Sequence, residues 1–371
     1  MEEIIFTQIK DELTKDILPY WQKYAKDKEN GGFFGAIAND NKPNAEEWRG
    51  IVMVSRFLWT YSAAARLLHD AELLAMADYA HAYMMKYFYD PYNGGMYWSV
   101  RASGSPLVSR KQVYGDAFAI YALSEYAAAV KERRGHDSPA RQIMGQALSV
   151  YQLLERFALD KKAGGYFEAL DTDWSVTSET KLSPKDIDCD KSMNTNLHVM
   201  EAYTNLYRTL PLVCPELGDV RRELGASLEL LIHTHIEKIL NPKDYHLDLY
   251  FNKDWSRTGR DEISYGHDIE ASWLLWEAAC ELGKKELLQQ LRPVVIKIAE
   301  VALKEGFDAE TGGFENCMEE DGSRDTTRIW WNQAEALNGF YNAWELTCSN
   351  AYESAVQKVW HWIQEKQVNK K

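Results

Sequence analysis

Apolar residues recur at three- and four-residue spacing through most of the chain, in segments separated by short polar turns. This spacing places apolar side chains on one face of an α-helix, so the pattern predicts eleven helices. The predicted helices cover residues 3–25, 49–68, 70–87, 110–131, 140–158, 191–210, 219–239, 266–283, 285–305, 329–347 and 350–366. The sequence is therefore expected to form an all-α protein.

Five of the segments between helices share a second pattern. Four contain a glycine pair beside aromatic residues, namely "ENGGFFG", "YNGGMYW", "KAGGYFE" and "ETGGFEN", with the pairs beginning at residues 31, 94, 164 and 312. In the middle of the longest interval, "YHLDLYFNKDWSR" (245–257) keeps the aromatic alternation but has no glycine. Glycine supplies the positive φ of a tight turn, and alternating aromatics indicate strands. Each segment predicts a short β-hairpin, the fourth along the chain with a changed turn.

Hairpins and helix pairs alternate with a period of roughly 70 residues, which is typical of a repeated supersecondary unit. About six such pairs arranged around an axis predict an (α/α)6 barrel, so we expect residues 1–371 to form one catalytic domain. The first helix after each hairpin is richer in small and apolar residues, which predicts an inner ring, and the second is more charged, which predicts an outer ring. The beginnings of the inner helices are then expected to meet at one cavity.

The repeat predicts one further hairpin and one further inner helix beyond Lys371. We therefore expect the chain to be C-terminally incomplete. An omitted tail is the favoured explanation, and a truncated, inactive form is the alternative.

Charge and composition restrict the kinds of partner that the protein is expected to bind. The net charge of −14 disfavours nucleic acids and anionic membranes, since both are polyanions. No run of eighteen apolar residues occurs, and the N-terminal segment is acidic and amphipathic, so we expect a cytoplasmic protein without a membrane partner, acting as a monomer. The five cysteines form no C-x-x-C pair and are expected to be buried thiols. The many tryptophans and tyrosines fit a large core or a sugar-binding site equally well.

Polar and aromatic residues occupy matching positions near the beginnings of the predicted inner helices. They are Arg56, Tyr114, Asn194, His198, His267, Glu270, Trp273, Trp331 and Glu335. Each alone has a structural interpretation, as a hydrogen-bonded core histidine, a buried ion pair or a packed tryptophan. A metal site of two histidines and one carboxylate, from His198, His267 and Glu270, is a further alternative without a recognised spacing. Because the repeat brings the positions together, we favour a functional site.

The residue types indicate the chemistry. A histidine near a helix N-terminus, such as His267, feels the positive end of the helix dipole, which lowers its pKa and favours the neutral imidazole that acts as a base. An arginine, here Arg56, can stabilise the oxygen that becomes negative when a proton leaves the carbon beside a carbonyl. A carboxylate can assist sugar-ring opening or orient the histidine. This set predicts proton abstraction next to a carbonyl.

Six segments also resemble successive motifs of the cellobiose 2-epimerases, within the N-acylglucosamine 2-epimerase superfamily. They are "ENGGFFG", "SRFLWTYSAAARLL", "AFAIYALSEY", "MNTNLHVMEAYTNLYR", "SYGHDIEASWLL" and "WWNQAEALNGF". The resemblance implies an (α/α)6 barrel and cofactor-independent epimerisation at C2 of the reducing-end sugar of β-1,4-linked disaccharides such as cellobiose, lactose or mannobiose.

The resemblance also implies residue roles. His267 would be one of two acid/base histidines, and Arg56, Asn194 and His198 would contact the reacting end. Glu270 and Glu335 would assist ring opening and proton movement, whereas Tyr114, Trp273 and Trp331 would hold the sugar. The sequence departs from the family pattern at Asn196, where the family has a histidine, and it has no counterpart of the segment that carries the second acid/base histidine.

Other functions remain open from the sequence. A mannose 2-epimerase or mannose isomerase would use the same enediolate chemistry. A glycoside hydrolase would use Glu270 and Glu335 as paired carboxylates. A sugar-binding protein without catalysis is the remaining alternative.

Overall fold

The computed structural model describes residues 2–182, 186–259 and 261–368. Its α-helices are α1 (Glu2–Asp11), α2 (Leu18–Tyr24), α3 (Ile51–Leu68), α4 (Ala71–Tyr87), α5 (Val113–Arg134), α6 (Asp137–Leu153), α7 (Met193–Val213), α8 (Gly218–Thr234), α9 (Tyr265–Leu282), α10 (Lys285–Glu305), α11 (Trp330–Thr347) and α12 (Asn350–Trp362). Short π-helical segments occupy Glu12–Ile17, Leu154–Ala158, His235–Ile239 and Ile363–Gln367.

These helices confirm all eleven predictions, with the first prediction divided into α1, a π-helical segment and α2. The predicted boundaries differ from the observed ones by a few residues. Helices α5 and α9 end at Gly135 and Gly283, both in the left-handed conformation, as expected where glycine terminates a helix. Asp70 caps α4 and Ser349 caps α12, each accepting a hydrogen bond from the second residue of its helix.

The strands are two or three residues long. They are β1 (Ala36–Ile37), β2 (Pro43–Asn44), β3 (Arg49–Gly50), β4 (Ser99–Val100), β5 (Pro106–Val108), β6 (Lys111–Gln112), β7 (Ala169–Leu170), β8 (Lys191–Ser192), β9 (Tyr250–Phe251), β10 (Ile263–Ser264), β11 (Cys317–Met318) and β12 (Arg324–Asp325). The strand that precedes a predicted inner helix pairs antiparallel with a strand that follows the next outer helix: β3 with β4, β6 with β7, β8 with β9, and β10 with β11. This pairing was not predicted.

The predicted turns have one geometry. A single antiparallel bridge closes each turn, and the backbone N–H of its first polar residue donates to the carbonyl five residues later, as in Asp27 to Gly32. Both glycines have positive φ in the first three turns, whereas in the last turn Gly312 does and Gly313 does not. The turn without glycine has the same bridge, between Leu240 and Leu247, and Tyr245 takes a φ of 67° there. The prediction of a fourth hairpin with a changed turn is confirmed.

The chain divides into two compact units. Unit 1 comprises Met1–Asp190 and Glu201–Ala226, and unit 2 comprises Lys191–Met200 and Ser227–Lys371. In unit 1, α5 is buried along most of its length while α6 buries one face; in unit 2 the same contrast separates α9 from α10. Helices α3 and α4 show no such contrast, so the predicted difference between inner and outer helices holds for two of these three pairs. A single catalytic domain stays a prediction.

Buried ion pairs connect several turns to the following inner helix. Asp27 accepts from Arg49 at 2.7 Å, and Asp90 accepts from Lys111 at 2.8 Å, with both members of each pair almost completely buried. In the last turn Arg328 lies 3.0 Å from Asp308. A buried charge is tolerated when it has a hydrogen-bonded partner, so these pairs tie three turns to the cation two positions before the following helix.

The composition predicts buried cysteines and no membrane-spanning segment. Cys189, Cys214 and Cys317 are buried, whereas Cys280 and Cys348 are exposed, so the prediction of five buried thiols was wrong for these two. Cys280 lies in the last turn of α9, and Cys348 directly follows α11. Within the described ranges, none of the helices combines the length and apolarity that a bilayer crossing needs.

Candidate functional site

The inner helices place the candidate residues in a common register. Counted from the first residue of α3, α5, α7, α9 and α11, the sixth residues are Arg56, Phe118, His198, Glu270 and Glu335. Four of the nine predicted site residues therefore occupy one repeat position. Tyr114, Asn194 and Trp331 share the second position, Trp273 takes the ninth, and His267 takes the third.

Unit 2 brings His198 and Glu270 together. His198 Nε2 lies 3.8 Å from Glu270 Oε1, and both side chains are buried. His198 belongs to the first turns of α7 and Glu270 to the first turns of α9. Histidine and carboxylate side chains are the usual groups of general acid–base catalysis, so the two together can transfer a proton to or from a substrate.

His267 lies in the first turn of α9 and is held on two sides. Its Nδ1 is 2.6 Å from the Oγ of Ser264, the residue that precedes the helix. Its ring contacts the indole of Trp331, with centroids 4.8 Å apart and planes at 53°. When Nδ1 carries the proton and donates to Ser264, Nε2 keeps the lone pair that can accept a proton from a substrate.

The environment of His267 favours the neutral imidazole. Burial, together with the nearby His198, lowers the pKa of His267 to about 3. The predicted direction of this pKa shift is confirmed, but the predicted cause was wrong: removal from water dominates, where the sequence argument had named the helix dipole. Part of the His267 side chain remains accessible, so the neutral base can reach a ligand.

Trp273 and Glu335 are joined directly. The indole Nε1 of Trp273 donates to Glu335 Oε2 at 2.9 Å, connecting α9 with α11. Sequence reasoning assigned one residue to sugar holding and the other to proton movement, without expecting a bond between them. The bond fixes the orientation of the Glu335 carboxylate at the beginning of α11.

Trp331 packs against the beginning of α9 because residue 266 is a glycine. A Cβ on Gly266 would lie 2.6 Å from the Trp331 ring and 2.7 Å from Asn332 Oδ1. No real Cβ approaches heavy atoms so closely, so only glycine allows this contact. The same indole touches His267, which means that Gly266 and Trp331 together set the wall beside the candidate base.

Two asparagines of α7 have different environments. Among the described residues, the Asn194 Oδ1 atom is buried without a hydrogen-bond partner, as expected for an atom whose partner is a ligand. Asn196 Nδ2 instead donates to the carbonyl of Ser192 at 2.9 Å and is fully buried. The side chain at position 196 therefore bonds to the backbone just before α7.

In unit 1 the structure places Arg56 and Tyr114 around Phe118. The Arg56 guanidinium lies 5.1 Å above the Phe118 ring, and the Tyr114 ring is 4.9 Å from the same ring. Arg56 is exposed, so its charge is available to a ligand. Nearby, Trp59 stacks on Tyr121 with centroids 5.0 Å apart, and the Trp59 Nε1 atom is buried without a partner among the described residues.

The metal alternative finds no support in the ligand spacing. Within the described residues, the group whose ligand atoms approach closely enough for one ion is Cys317, Glu319 and Asp325, with all atoms within 4.8 Å of one another. It contains none of His198, His267 and Glu270.

Ser264 was missed by the sequence analysis. A serine before a helix is ordinarily expected to cap backbone N–H groups, and here its hydroxyl lies against the imidazole three residues later instead. The available signal was the i, i+3 spacing of Ser264 and His267 across the helix start.

Several known proteins are similar to this chain. A family model described as N-acylglucosamine 2-epimerase matches residues 32–370. The chain is 41% identical over 342 residues to a cellobiose 2-epimerase of Bacteroides fragilis, covering 92% of this chain and 82% of that protein. It is 35% identical to a cellobiose 2-epimerase of Dictyoglomus turgidum, covering 100% of this chain and 89% of that protein.

A solved structure of cellobiose 2-epimerase from Bacillus thermoamylovorans superposes with a TM-score of 0.88 at 33% identity, covering 100% of this chain and 89% of that chain. The predicted fold class, an all-α (α/α)6 barrel with short hairpins between helix pairs, is confirmed. The sequence motifs, the repeat register of the helices and these matches lead to one conclusion: the chain belongs to the N-acylglucosamine 2-epimerase family.

Proposed function

We propose that this protein is a carbohydrate 2-epimerase that inverts C2 of the reducing-end sugar of β-1,4-linked disaccharides, cellobiose among them, without a cofactor. One observation carries the proposal: His267, held neutral by burial and bonded to Ser264, lies beside the His198–Glu270 pair within unit 2. A neutral base next to an imidazole and a carboxylate suits removal of a proton from a carbon beside a carbonyl. The relatives named above support this reaction class.

In the proposed reaction the pyranose opens and exposes the aldehyde, and His267 Nε2 removes the C2 proton. The electron pair of the broken C–H bond moves into the enediolate, rotation about C2–C3 presents its other face, and a proton returns to C2 there. General base catalysis of this kind contributes about 10²–10⁴ in rate, so the negative oxygen of the enediolate must also be stabilised. The exposed guanidinium of Arg56 is proposed for that role.

The remaining residues are proposed to bind and orient the sugar. His198 and Glu270 are proposed to move the proton of ring opening, because they form the acid–base pair. Asn194 Oδ1, which has no partner among the described residues, offers a buried acceptor for a sugar hydroxyl. Glu335, oriented by Trp273, is proposed to assist ring opening, and Trp331 with Tyr114 to contact the apolar faces of the sugar.

The proposal is tested by incubating cellobiose in D₂O with the protein and analysing the products by NMR and mass spectrometry. The expected result is an intact disaccharide whose reducing-end sugar is mannose with deuterium at C2. His267→Asn is expected to lower the exchange rate by at least about 100-fold, since it removes the base while keeping a polar side chain of similar volume. His361→Asn, on the exposed face of α12, is the matched control.

Three other outcomes would contradict the proposal. Free glucose would indicate hydrolysis, and fructose formed from mannose in a parallel incubation would indicate a mannose isomerase. Unchanged cellobiose in the presence of folded protein would indicate a sugar-binding protein.

We also propose that the protein acts as a monomer, since its strong net negative charge opposes self-association, and that it acts in the cytoplasm. Light scattering at micromolar concentration would test the first statement, and cell fractionation the second.

A further inference from the structure

The turn before α9 differs from the other four at the residues that face the helix. In each glycine turn an aspartate is followed, four and five residues later, by a glycine pair: Gly31–Gly32, Gly94–Gly95, Gly164–Gly165 or Gly312–Gly313. Here Tyr245 and His246 take the glycine positions, with the same backbone bonds to Asn241: Asn241 N–H donates to the His246 carbonyl at 2.9 Å and Tyr245 N–H donates to the Asn241 carbonyl at 2.9 Å. An imidazole therefore extends from a position where the other turns have no side chain.

In this repeat the buried ion pair is formed by different residues. Three other repeats pair the turn aspartate with a lysine or arginine before the inner helix, as in Asp90 with Lys111. In this repeat Asn241 replaces the aspartate and Ile263 replaces the cation. Instead, His246 Nδ1 lies 2.7 Å from Asp268 Oδ2, and both side chains are buried. The permanent cation is thus replaced by a titratable one.

His246 is placed between two carboxylates. Its Nε2 lies 3.2 Å from Glu305 Oε2, at the end of α10, while its Nδ1 faces Asp268 on α9. Both carboxylates are acceptors when ionised, and only the protonated imidazole donates from both nitrogens at once. Three other charged groups lie around the His246 ring. Asp244 belongs to the same turn, Lys304 lies 3.7 Å from Glu305, and Arg324 donates to the Glu305 carbonyl. The ring of Tyr265, on α9, also contacts the imidazole.

Asp268 connects this histidine to the candidate base. It directly follows His267 in α9, and its other oxygen, Oδ1, accepts the Leu247 N–H at 2.9 Å. One carboxylate therefore fixes the first turn of α9 to the preceding turn through two bonds. If His246 lost its proton, one of these bonds would lose its charge assistance, and the buried Asp268 carboxylate would lose its neutralising partner.

We propose that protonated His246 is a positioning residue for His267, acting through Asp268 to hold the first turn of α9 in the orientation that proton abstraction requires. The proposal rests on the proposed epimerase function. Burial alone lowers the pKa of His246, but the hydrogen bond and charge of Asp268, with the charges of Glu305 and Asp244, raise it above the ordinary value overall. The ion pair is therefore present at lower pH and is lost as pH rises through the pKa of His246 in the folded protein.

The test compares kcat and KM for cellobiose across pH in the full-length protein and in His246→Gln. Glutamine keeps a donor near Asp268 but cannot carry the charge. We expect kcat to fall about 10-fold near neutral pH, because a small displacement of a catalytic group is costly, and KM to change less than about twofold. The decline of kcat on the alkaline side in the wild type is expected to disappear in the variant. His233→Gln, on α8 beside Glu237, is the matched control and should keep the wild-type profile.

A second measurement does not depend on activity. In protein labelled with ¹³C at the histidine rings, the His267 signal is expected to change with pH as His246 titrates in the wild type, and to show no such step in His246→Gln. His246→Gly, which restores the residue of the other turns, replaces the glutamine variant if the latter does not fold.

Wild-type kcat and an unchanged alkaline limb in His246→Gln would overturn the proposal. A lower kcat with an unchanged pH profile and an unchanged His267 signal would also overturn it, because it would indicate a merely structural role. If the wild type exchanges no C2 proton of cellobiose, the epimerase proposal fails on its own, and the NMR titration still decides whether His246 controls the environment of His267.

Discussion

The indole of Trp273 is bonded to the carboxylate of Glu335, because Trp273 Nε1 donates to Glu335 Oε2 at 2.9 Å. The ninth residue of α9 thereby fixes the side chain of the sixth residue of α11. A carboxylate that has a bonded orientation before substrate arrives loses less conformational freedom on binding. Trp273 is therefore expected to act partly through Glu335 as well as by contact with the sugar.

Trp273→Phe separates these two contributions, since it keeps an aromatic ring and removes the N–H donor. A hydrogen bond to a charged acceptor contributes about 1.5–3 kcal/mol, so kcat/KM for cellobiose is expected to fall by about 10- to 100-fold. Initial rates at several cellobiose concentrations measure this loss. Trp21→Phe, at an exposed position of α2, is the control and should leave kcat/KM unchanged.

If Trp273→Phe kept wild-type kcat/KM, the orientation of Glu335 would not matter for turnover. In that case Trp273 would act solely as a sugar-stacking surface. A Glu335→Gln variant with normal activity would support the same conclusion.

Much of the fold could be predicted because its signal is periodic. Helix positions follow from the three- and four-residue spacing of apolar residues, and the repeat of glycine turns fixes where each inner helix begins. That register alone aligned Arg56, His198, Glu270 and Glu335 at one position. Asn241 and Tyr245 show the same principle without glycine, since the backbone bonds of the turn are kept when its side chains change.

The interactions within the site depend on side-chain orientation and packing density, which a single sequence does not encode locally. The bond between Trp273 and Glu335 joins residues far apart in the chain, and its existence depends on two rotamers. The pKa of His267 was predicted to fall because of the helix dipole, but burial dominates, and burial is supplied by distant residues such as Trp331. The role of His246 was missed because nothing in the sequence places its ring against Asp268.

Ser264→Ala tests how the base is oriented. The Ser264 Oγ lies 2.6 Å from His267 Nδ1, so its loss leaves the imidazole without the hydrogen bond that orients its ring. We expect kcat to fall about 10-fold, with little change in KM, because the missing bond acts on the reacting base. Ser264→Thr keeps the hydroxyl and is expected to restore most of the rate. Equal rates in the alanine variant and the wild type would exclude this orienting role.

Gly266→Ala tests the contact between α9 and Trp331. The added methyl group would lie 2.6 Å from the indole and 2.7 Å from Asn332 Oδ1, so the Trp331 ring must shift from its present position. Overpacking of this kind costs about 1–3 kcal/mol of stability, which urea unfolding measures, and we also expect a higher KM for cellobiose. Gly145→Ala in α6 is the matched control: a Cβ there meets nothing within 4 Å, and the change should stabilise the protein by about 0.5–1 kcal/mol. A Gly266→Ala protein with unchanged stability and KM would contradict the packing argument.

Asp116, the fourth residue of α5, is a buried carboxyl group that destabilises the protein when it ionises. Its Oδ1 accepts the Met96 N–H at 2.8 Å, while its Oδ2 is buried without a partner among the described residues. Burial raises the pKa of Asp116 to about 7, against an opposing effect of Lys111 and the Met96 bond. Because this pKa lies above that of the unfolded chain, the folded state binds the proton more tightly, and stability falls as pH rises from about 4 to about 7.

Asp116→Asn keeps an acceptor for the Met96 N–H and removes the charge. At pH 8 its free energy of unfolding in urea should exceed that of the wild type by about 1–4 kcal/mol, and near pH 4 the two values should converge. A difference between the two proteins that stays constant over this range would show that ionisation of Asp116 does not control their stability.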